Sequence, residues 1–260
     1  MSDVVITQRQ GRALTIMINR PERRNALNDQ VVTAIVQAID GAEADPEVRV
    51  IVLTGAGDRA FCAGGDLEPG ADGTPFTISA SQPGHLTAAL FRRMNACRLP
   101  LVARVNGHAL AGGLGLVCAC DLAVAAETAT FGVPETKVGL FPMMILPFLL
   151  RNTPNRVLME MCITGEPISA QEALGHGMLN HVVPAAELDA KVDWLVGRIA
   201  DKSPTGIRMG KHALRQIREM SAEQALEYAP MMLATMARSE DAREGFAAFK
   251  EKRRADWTGR

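Results

Sequence analysis

Residues 100–126 read PLVARVNGHALAGGLGLVCACDLAVAA. The opening PLVARVNG is a short apolar run closed by Asn106-Gly107, and CDLAVAA at the far end is a second such run; each reads as a strand. Between them, glycines 112, 113 and 115 precede an apolar stretch that reads as a helix. A strand, a glycine turn, a helix and a strand in succession predict an α/β core. The glycines also expose backbone N–H groups at the positive end of a helix, a place suited to developing negative charge.

Working outward, VRVIVLTG (48–55) is a continuous apolar run bounded by Gly55, as in a strand covered on both faces. At the start, VVITQRQ and ALTIMIN flank Gly11-Arg12 and predict a hairpin. Asn28 is placed to cap a helix with Val32, Ile35, Val36 and Ile39 on one face, ending in the stretch 41–46. A further helix is expected over 85–98. After Gly132 the pattern predicts helices at 144–151, 154–162 and 169–175, one short strand in LNHVV, and then helices at 186–201, 205–219, 222–238 and 239–254. The stretch 55–84, rich in Gly, Pro, Ser, Thr and Asp, reads as too polar for core and as a mobile active-site flap.

Composition narrows the function classes. The 260 residues are 47% hydrophobic and 22% charged, and 28 basic against 29 acidic residues leave a net charge of −1. No global field is available for nucleic acid or an anionic membrane, so an anionic ligand must be met locally. The longest apolar run, 141–150, has ten residues and two prolines, whereas a bilayer span needs about 20. The first residues lack a signal-peptide pattern, and the five cysteines (62, 97, 118, 120 and 162) show no CxxC spacing; a cytoplasmic protein with reduced thiols is expected. Neither GxGxxG, a P-loop, HExxH nor GxSxG is present, which argues against a dinucleotide site, a nucleotide phosphate loop, a zinc protease and a serine hydrolase.

Three segments carry candidate chemistry. AFCAGGDL (60–67) places two glycines in a sharp turn whose amides suit a carbonyl oxygen or phosphate, although taken alone it reads first as a plain turn. The glycines at 112–115 offer the helix-end amides described above, or simply close helix packing. TFGVPETKVGLFP holds Glu135 among apolar neighbours, where loss of water would move its carboxyl toward useful acid or base strength; a surface ion pair with Lys137 is the alternative. His108, beside the glycine turn, is a candidate site-lining residue, while the other histidines read as scattered over helices and loops. Met143, Met144 and Ile145, after Pro142, are candidates to wall an acyl pocket.

Taken together, INRPERRNALN, VIVLTGAGDRAFCAGGDL, PLVARVNGHALAGGLGL, ATFGVPETKVGLFP, ITGEPISAQEALGHGMLNHVVP and EGFAAFKEKR resemble, in order and over nearly the whole chain, the crotonase superfamily of enoyl-CoA hydratases and isomerases. The resemblance implies an α/β spiral of ββα turns forming two sheets (1–190), followed by C-terminal helices (191–260) used for assembly into trimers or dimers of trimers. It implies an acyl-CoA thioester substrate, with coenzyme A as part of the substrate and no separate cofactor. It places an oxyanion hole at the amides of Gly65 and Gly112, and a catalytic carboxylate at Glu135. For the coenzyme A moiety it points to Arg23 and Arg24 and to the backbone of Ala63, Asp66 and Leu67, with Phe249 and Lys252 supplied by a neighbouring subunit, and to Met143 as a backbone donor in the acyl pocket.

The chain also departs from that pattern. Where typical hydratases carry a first catalytic glutamate in the helix after the glycine turn, this sequence has Gly115, and where they read PGxGG it reads PMMILP (142–147). Hydration or double-bond isomerisation through Glu135 alone is therefore expected, with a catalytically silent acyl-CoA binding protein as the alternative.

Overall fold

The computed structural model describes residues 3–66 and 85–260, so Leu67 and most of the expected flap lie outside the described residues. Strands β1 (Val5–Gln10) and β2 (Ala13–Ile18) pair antiparallel, and Gly11 adopts the left-handed conformation that turns the hairpin. The Asn28 side chain accepts the Val31 N–H at 3.0 Å and opens α1 (Asp29–Ala44). The helix buries Val31, Val32, Ile35 and Ile39 as its spacing requires. It ends at Ala44, inside the expected stretch 41–46, with Ala42 buried in its last turn.

The next segments alternate between two sheets. β3 (Val50–Gly55), β5 (Leu101–Val105) and β7 (Leu122–Ala126) lie parallel in the larger sheet, whose order is β1-β2-β3-β5-β7 with β10 (His181–Val183) at the far edge. Each is followed at once by a three-residue strand of the smaller sheet: β4 (Ala60–Cys62), β6 (His108–Leu110) and β8 (Thr130–Gly132), which are also mutually parallel and end on the two-residue strand β9 (Ile168–Ser169). Helices α2 (Leu86–Ala96) and α3 (Gly112–Ala119) follow the first two of these pairs. This is the expected spiral of ββα turns.

The reading of 55–84 as wholly too polar for core is corrected at its start. Ala60, Phe61 and Cys62 are all buried, and Phe61 has no exposed surface. Three residues are too few to display a period of two, so polar neighbours mask such a strand.

Two asparagines hold the crossover between the sheets. Asn25, fully buried with φ +57°, donates from Nδ2 to the carbonyls of Ala60 (2.7 Å) and Ala56 (3.0 Å), and its Oδ1 accepts the Arg20 N–H. Asn106 donates to the Gly57 carbonyl at 2.7 Å and accepts the Gly55 N–H. Each satisfies backbone groups that the tight turn between β3 and β4 leaves without sheet partners.

Beyond the spiral come α4 (Leu146–Asn152), α5 (Asn155–Thr164) and α6 (Ala170–Gly175), then α7 (Leu188–Ala200), α8 (Pro204–Ile217), α9 (Ala222–Ala237) and α10 (Glu240–Glu251). They match the helices expected from periodicity. The short strand expected in LNHVV is β10, beside β7, and it carries His181, a histidine expected on a helix or loop. Helix α9 buries none of its side chains in the single chain, and Leu226, Met231 and Leu233 on it stand exposed, as do Phe246 and Phe249 on α10. No described helix is long and apolar enough to cross a membrane.

The C-terminal helices are tied down by one carboxylate. Asp241, 1% exposed, accepts from the Ser203 hydroxyl (2.8 Å) and the N–H groups of Thr205 (3.2 Å), Thr258 (2.9 Å) and Gly259 (3.0 Å). Burial acts to raise its pKa, but these hydrogen bonds outweigh it and hold the carboxyl below its ordinary value. Asp241→Asn should therefore lower stability by about 2–4 kcal/mol at neutral pH. A depressed native pKa stabilises above the unfolded value and is lost as pH falls through the native one, so urea melts should show the deficit at pH 7 and its shrinkage only in strong acid.

Candidate active site

The strand β4 runs into Gly64 and Gly65, and the chain there lies beside the Arg24–Leu27 segment. Leu27 pairs with Gly65 in a parallel bridge: the Leu27 N–H donates to the Gly64 carbonyl (2.7 Å), and the Asp66 N–H donates to the Leu27 carbonyl (2.8 Å). In such a bridge the middle residue's own N–H and C=O face away from the partner strand. The Gly65 amide is thus turned away from Leu27, and no hydrogen bond among the described residues engages it. Gly64 has φ +97°, and a β-carbon there would sit 2.6 Å from that of Ala111, so neither conformation nor space admits a side chain.

The second amide belongs to Gly112, the first residue of α3. The first intrahelical bond here is Gly115 N–H to the Ala111 carbonyl (3.1 Å), which leaves the N–H of Gly112 without an intrahelical acceptor at the positive helix end. The two glycine loops adjoin, since the Gly112 nitrogen is 3.2 Å from where a Gly64 β-carbon would lie. Ala111 caps the helix at φ +50°, ψ −124°, a strained conformation for alanine, and its N–H donates to the Gly132 carbonyl at 2.9 Å. Nothing in the sequence marks Ala111, because alanine carries no signature of a left-handed position.

That last hydrogen bond brings in the third component. Gly132 ends β8, and three residues on, Glu135 sits in a 3-10 turn, Pro134–Val138. Pro134 starts the turn with its fixed φ, and Gly139 closes it in the left-handed conformation. Glu135 Oε2 is buried with no hydrogen-bond partner among the described residues. Burial raises the pKa of its carboxyl above the ordinary value, opposed in part by its own backbone N–H. The buried Cys162 thiol on α5 is likewise pushed up, by burial and then by the charge of Glu135. The alternative ion pair does not form: Lys137 pairs with Glu166 at 2.8 Å.

The other sequence-derived candidates separate. Arg23 and Arg24 lie exposed on the 3-10 turn Pro21–Arg23 and its left-handed cap, next to β4, since the Ala63 N–H donates to the Arg24 carbonyl (3.0 Å). The amides of Ala63 and Asp66 are thus both engaged within the chain. The Asp66 carboxylate pairs with Arg20 at 2.8 Å, a contact sequence reasoning missed, and Arg20 also donates to the Ala26 carbonyl at 2.7 Å. Met143 is corrected as a free backbone donor: its N–H already donates to the Phe141 carbonyl at 2.7 Å, and its side chain is exposed. Of the three proposed wall residues only Ile145 is buried. His108 is exposed, with Nδ1 2.7 Å from Thr130 Oγ1 on the neighbouring strand. Phe249 and Lys252, at the exposed end of α10, make no side-chain hydrogen bond or ion pair with the residues of this site.

The unpartnered carboxyl generates a stability expectation. A carboxyl whose native pKa is raised destabilises the fold wherever it is ionised, so Glu135→Gln should unfold at higher urea than the native protein at pH 8. Below the raised pKa, where native Glu135 is protonated, the two curves should converge.

Similarity to known proteins extends along nearly the whole chain. The family model described as enoyl-CoA hydratase/isomerase matches residues 8–260. The chain is 34% identical to the 2,3-dehydroadipyl-CoA hydratase of Escherichia coli, with both proteins covered in full, and 33% identical over 100% of each to the carnitinyl-CoA dehydratase of Proteus mirabilis. The crystal structure of an enoyl-CoA hydratase from Mycobacterium tuberculosis superposes with a TM-score of 0.89 at 33% identity over 100% of both chains, and that from Mycobacterium smegmatis with 0.88 at 33% over 98%. The fold is therefore that of the crotonase structures, and the chain belongs to the enoyl-CoA hydratase/isomerase family.

Proposed function

We propose that the protein adds water to the double bond of an enoyl-CoA thioester, through an enolate held by the amides of Gly65 and Gly112, with Glu135 as the single proton-transfer residue. The observation that carries this reading is the buried Glu135 Oε2, without a partner among the described residues and on a carboxyl whose pKa is raised, on a segment hydrogen-bonded to the loop that bears Gly112. The names of the relatives support hydration as the reaction class.

The steps balance with one carboxylate. Glu135 takes a proton from water as the water oxygen bonds to C3, and the C2=C3 electrons move onto the thioester oxygen. Two backbone amides meet that oxygen, and loss of one such donor typically costs about 3–4 kcal/mol of transition-state stabilisation. The protonated Glu135 then gives its proton to C2, the thioester carbonyl re-forms, and the carboxylate is restored. The pKa rise matters at both stages, because it strengthens the base and keeps the acid available near neutral pH.

Arg23 and Arg24 stand where exposed cations can meet the coenzyme A phosphates, beside the strand that presents Gly65. The exposed apolar faces of α9 and α10 suit association of copies into a trimer or dimer of trimers, which would bring Phe249 and Lys252 to a neighbouring site. A cytoplasmic setting fits the reduced cysteines, four of them buried.

Turnover of paired 2-enoyl- and 3-enoyl-CoA thioesters of increasing chain length, with products separated by mass, tests the proposal. Water addition that falls about 100- to 10,000-fold in Glu135→Gln is expected. Because the base must be ionised, kcat/KM should decline as pH drops through a value above the ordinary carboxylate range. Double-bond movement without added water would instead assign isomerisation, and binding without turnover would assign a silent acyl-CoA module.

A further inference from the structure

Gly115 lies one helical turn beyond Gly112, on the same face of α3. A side chain there would lean back over the preceding turn, toward whatever is held at the Gly112 amide. A polar group at 115 would therefore lie one turn from the Gly112 amide.

That space is filled. A β-carbon on Gly115 would lie 2.2 Å from Ile145 Cγ2, 2.8 Å from Ile145 Cβ and 2.9 Å from Phe91 Cζ. Both side chains are buried, each with 2% of its surface exposed, and Phe91 is backed by Phe148, their ring centroids 5.1 Å apart. These atoms cannot swing aside cheaply. The nearest belong to a β-branched side chain, stiff at its first torsion, and one of them is the β-carbon itself. Ile145 also stands at the entry to α4, where its N–H donates to the Pro142 carbonyl at 3.2 Å and its carbonyl accepts from Phe148 at 2.9 Å, so the backbone cannot withdraw alone.

We infer that Ile145, backed by Phe91, is a specificity-determining residue: it closes the Gly115 face of α3 with hydrocarbon, so that every proton transfer runs through Glu135. The substrates admitted are enoyl thioesters with an apolar substituent on that side of C2 and C3. A second water or a polar acyl group facing Gly115 would lose hydrogen bonds with nothing to replace them. The inference rests on the hydratase reading for its chemistry, and on packing alone for its geometry.

A cycle of variants separates the two. Gly115→Glu, Ile145→Ala, their combination, and Gly115→Gln with Ile145→Ala are compared by thermal unfolding and by water addition to 2-enoyl-CoA thioesters. Gly115→Glu alone should unfold at lower temperature and add water at least about 10-fold more slowly than the native protein. Adding Ile145→Ala should raise both its Tm and its rate. The rescued rate should exceed that of the glutamine double variant by about 10-fold or more, the mark of a carboxyl group at work. Tm losses that simply add would overturn the assignment of Ile145 as the filling residue. Rescue of Tm with equal rates for the glutamate and glutamine doubles would overturn its role in the reaction course. Failure of the native protein to add water would defeat the hydratase reading, while the unfolding data would still decide the packing claim.

Discussion

Everything at the site depends on how closely α3 lies against β4. A β-carbon on Gly113 would fall 2.0 Å from the Cys62 carbonyl oxygen, so the helix approaches the strand at backbone distance and no other residue is admissible there. This contact sets the Gly112 amide beside the turn that carries Gly65. Two loops separated by nearly fifty residues thus form one surface, with no side chain interposed. The donors proposed at Gly65 and Gly112 are backbone groups, as rigid as the strand and helix that end in them, which is the property an electrostatic catalyst needs.

Polar anchoring completes that rigidity. Asn25 and Asn106 take up the carbonyls and amides of the β3–β4 crossover, and the Leu27–Gly65 bridge stitches the N-terminal segment onto the same turn. Most buried side-chain polar groups of the described residues are paired, Thr136 and Thr153 being exceptions. Glu135 Oε2 is among the few buried side-chain oxygens left without a partner in the described residues, and Ala111 is held in a strained conformation at the mouth of α3. Strain and an unsatisfied carboxyl concentrate where substrate chemistry is assigned, against a background in which such costs are avoided.

The larger sheet and the C-terminal helices were legible in the sequence because their elements are long enough to show a period. VIVLTG announces a buried strand, and apolar residues at three- and four-residue spacing announce α9 within the expected 222–238. The smaller sheet was not legible, since β4, β6 and β8 have three residues each and sit among glycines. Glu135, Gly65 and Gly112 are candidates from their motifs alone, but the outward turn of the Gly65 amide follows from a bridge to Leu27, nearly forty residues away. Met143 was misjudged for a similar reason. Whether an amide is free depends on a local turn, here closed onto Phe141, that no residue type in PMMILP dictates.

The packing at Gly115 also constrains how this sequence can change over generations. Any side chain acquired at 115 meets Ile145 and Phe91 first, so the step is harmful unless residue 145 has already become smaller. Shrinking Ile145 first opens a cavity, which is itself destabilising. A lineage at this state is therefore entrenched: the two routes out each begin with a loss, and reversal requires paired change or prior surplus stability. An alanine or glycine at 145 in a related sequence would mark a lineage for which that door is still open.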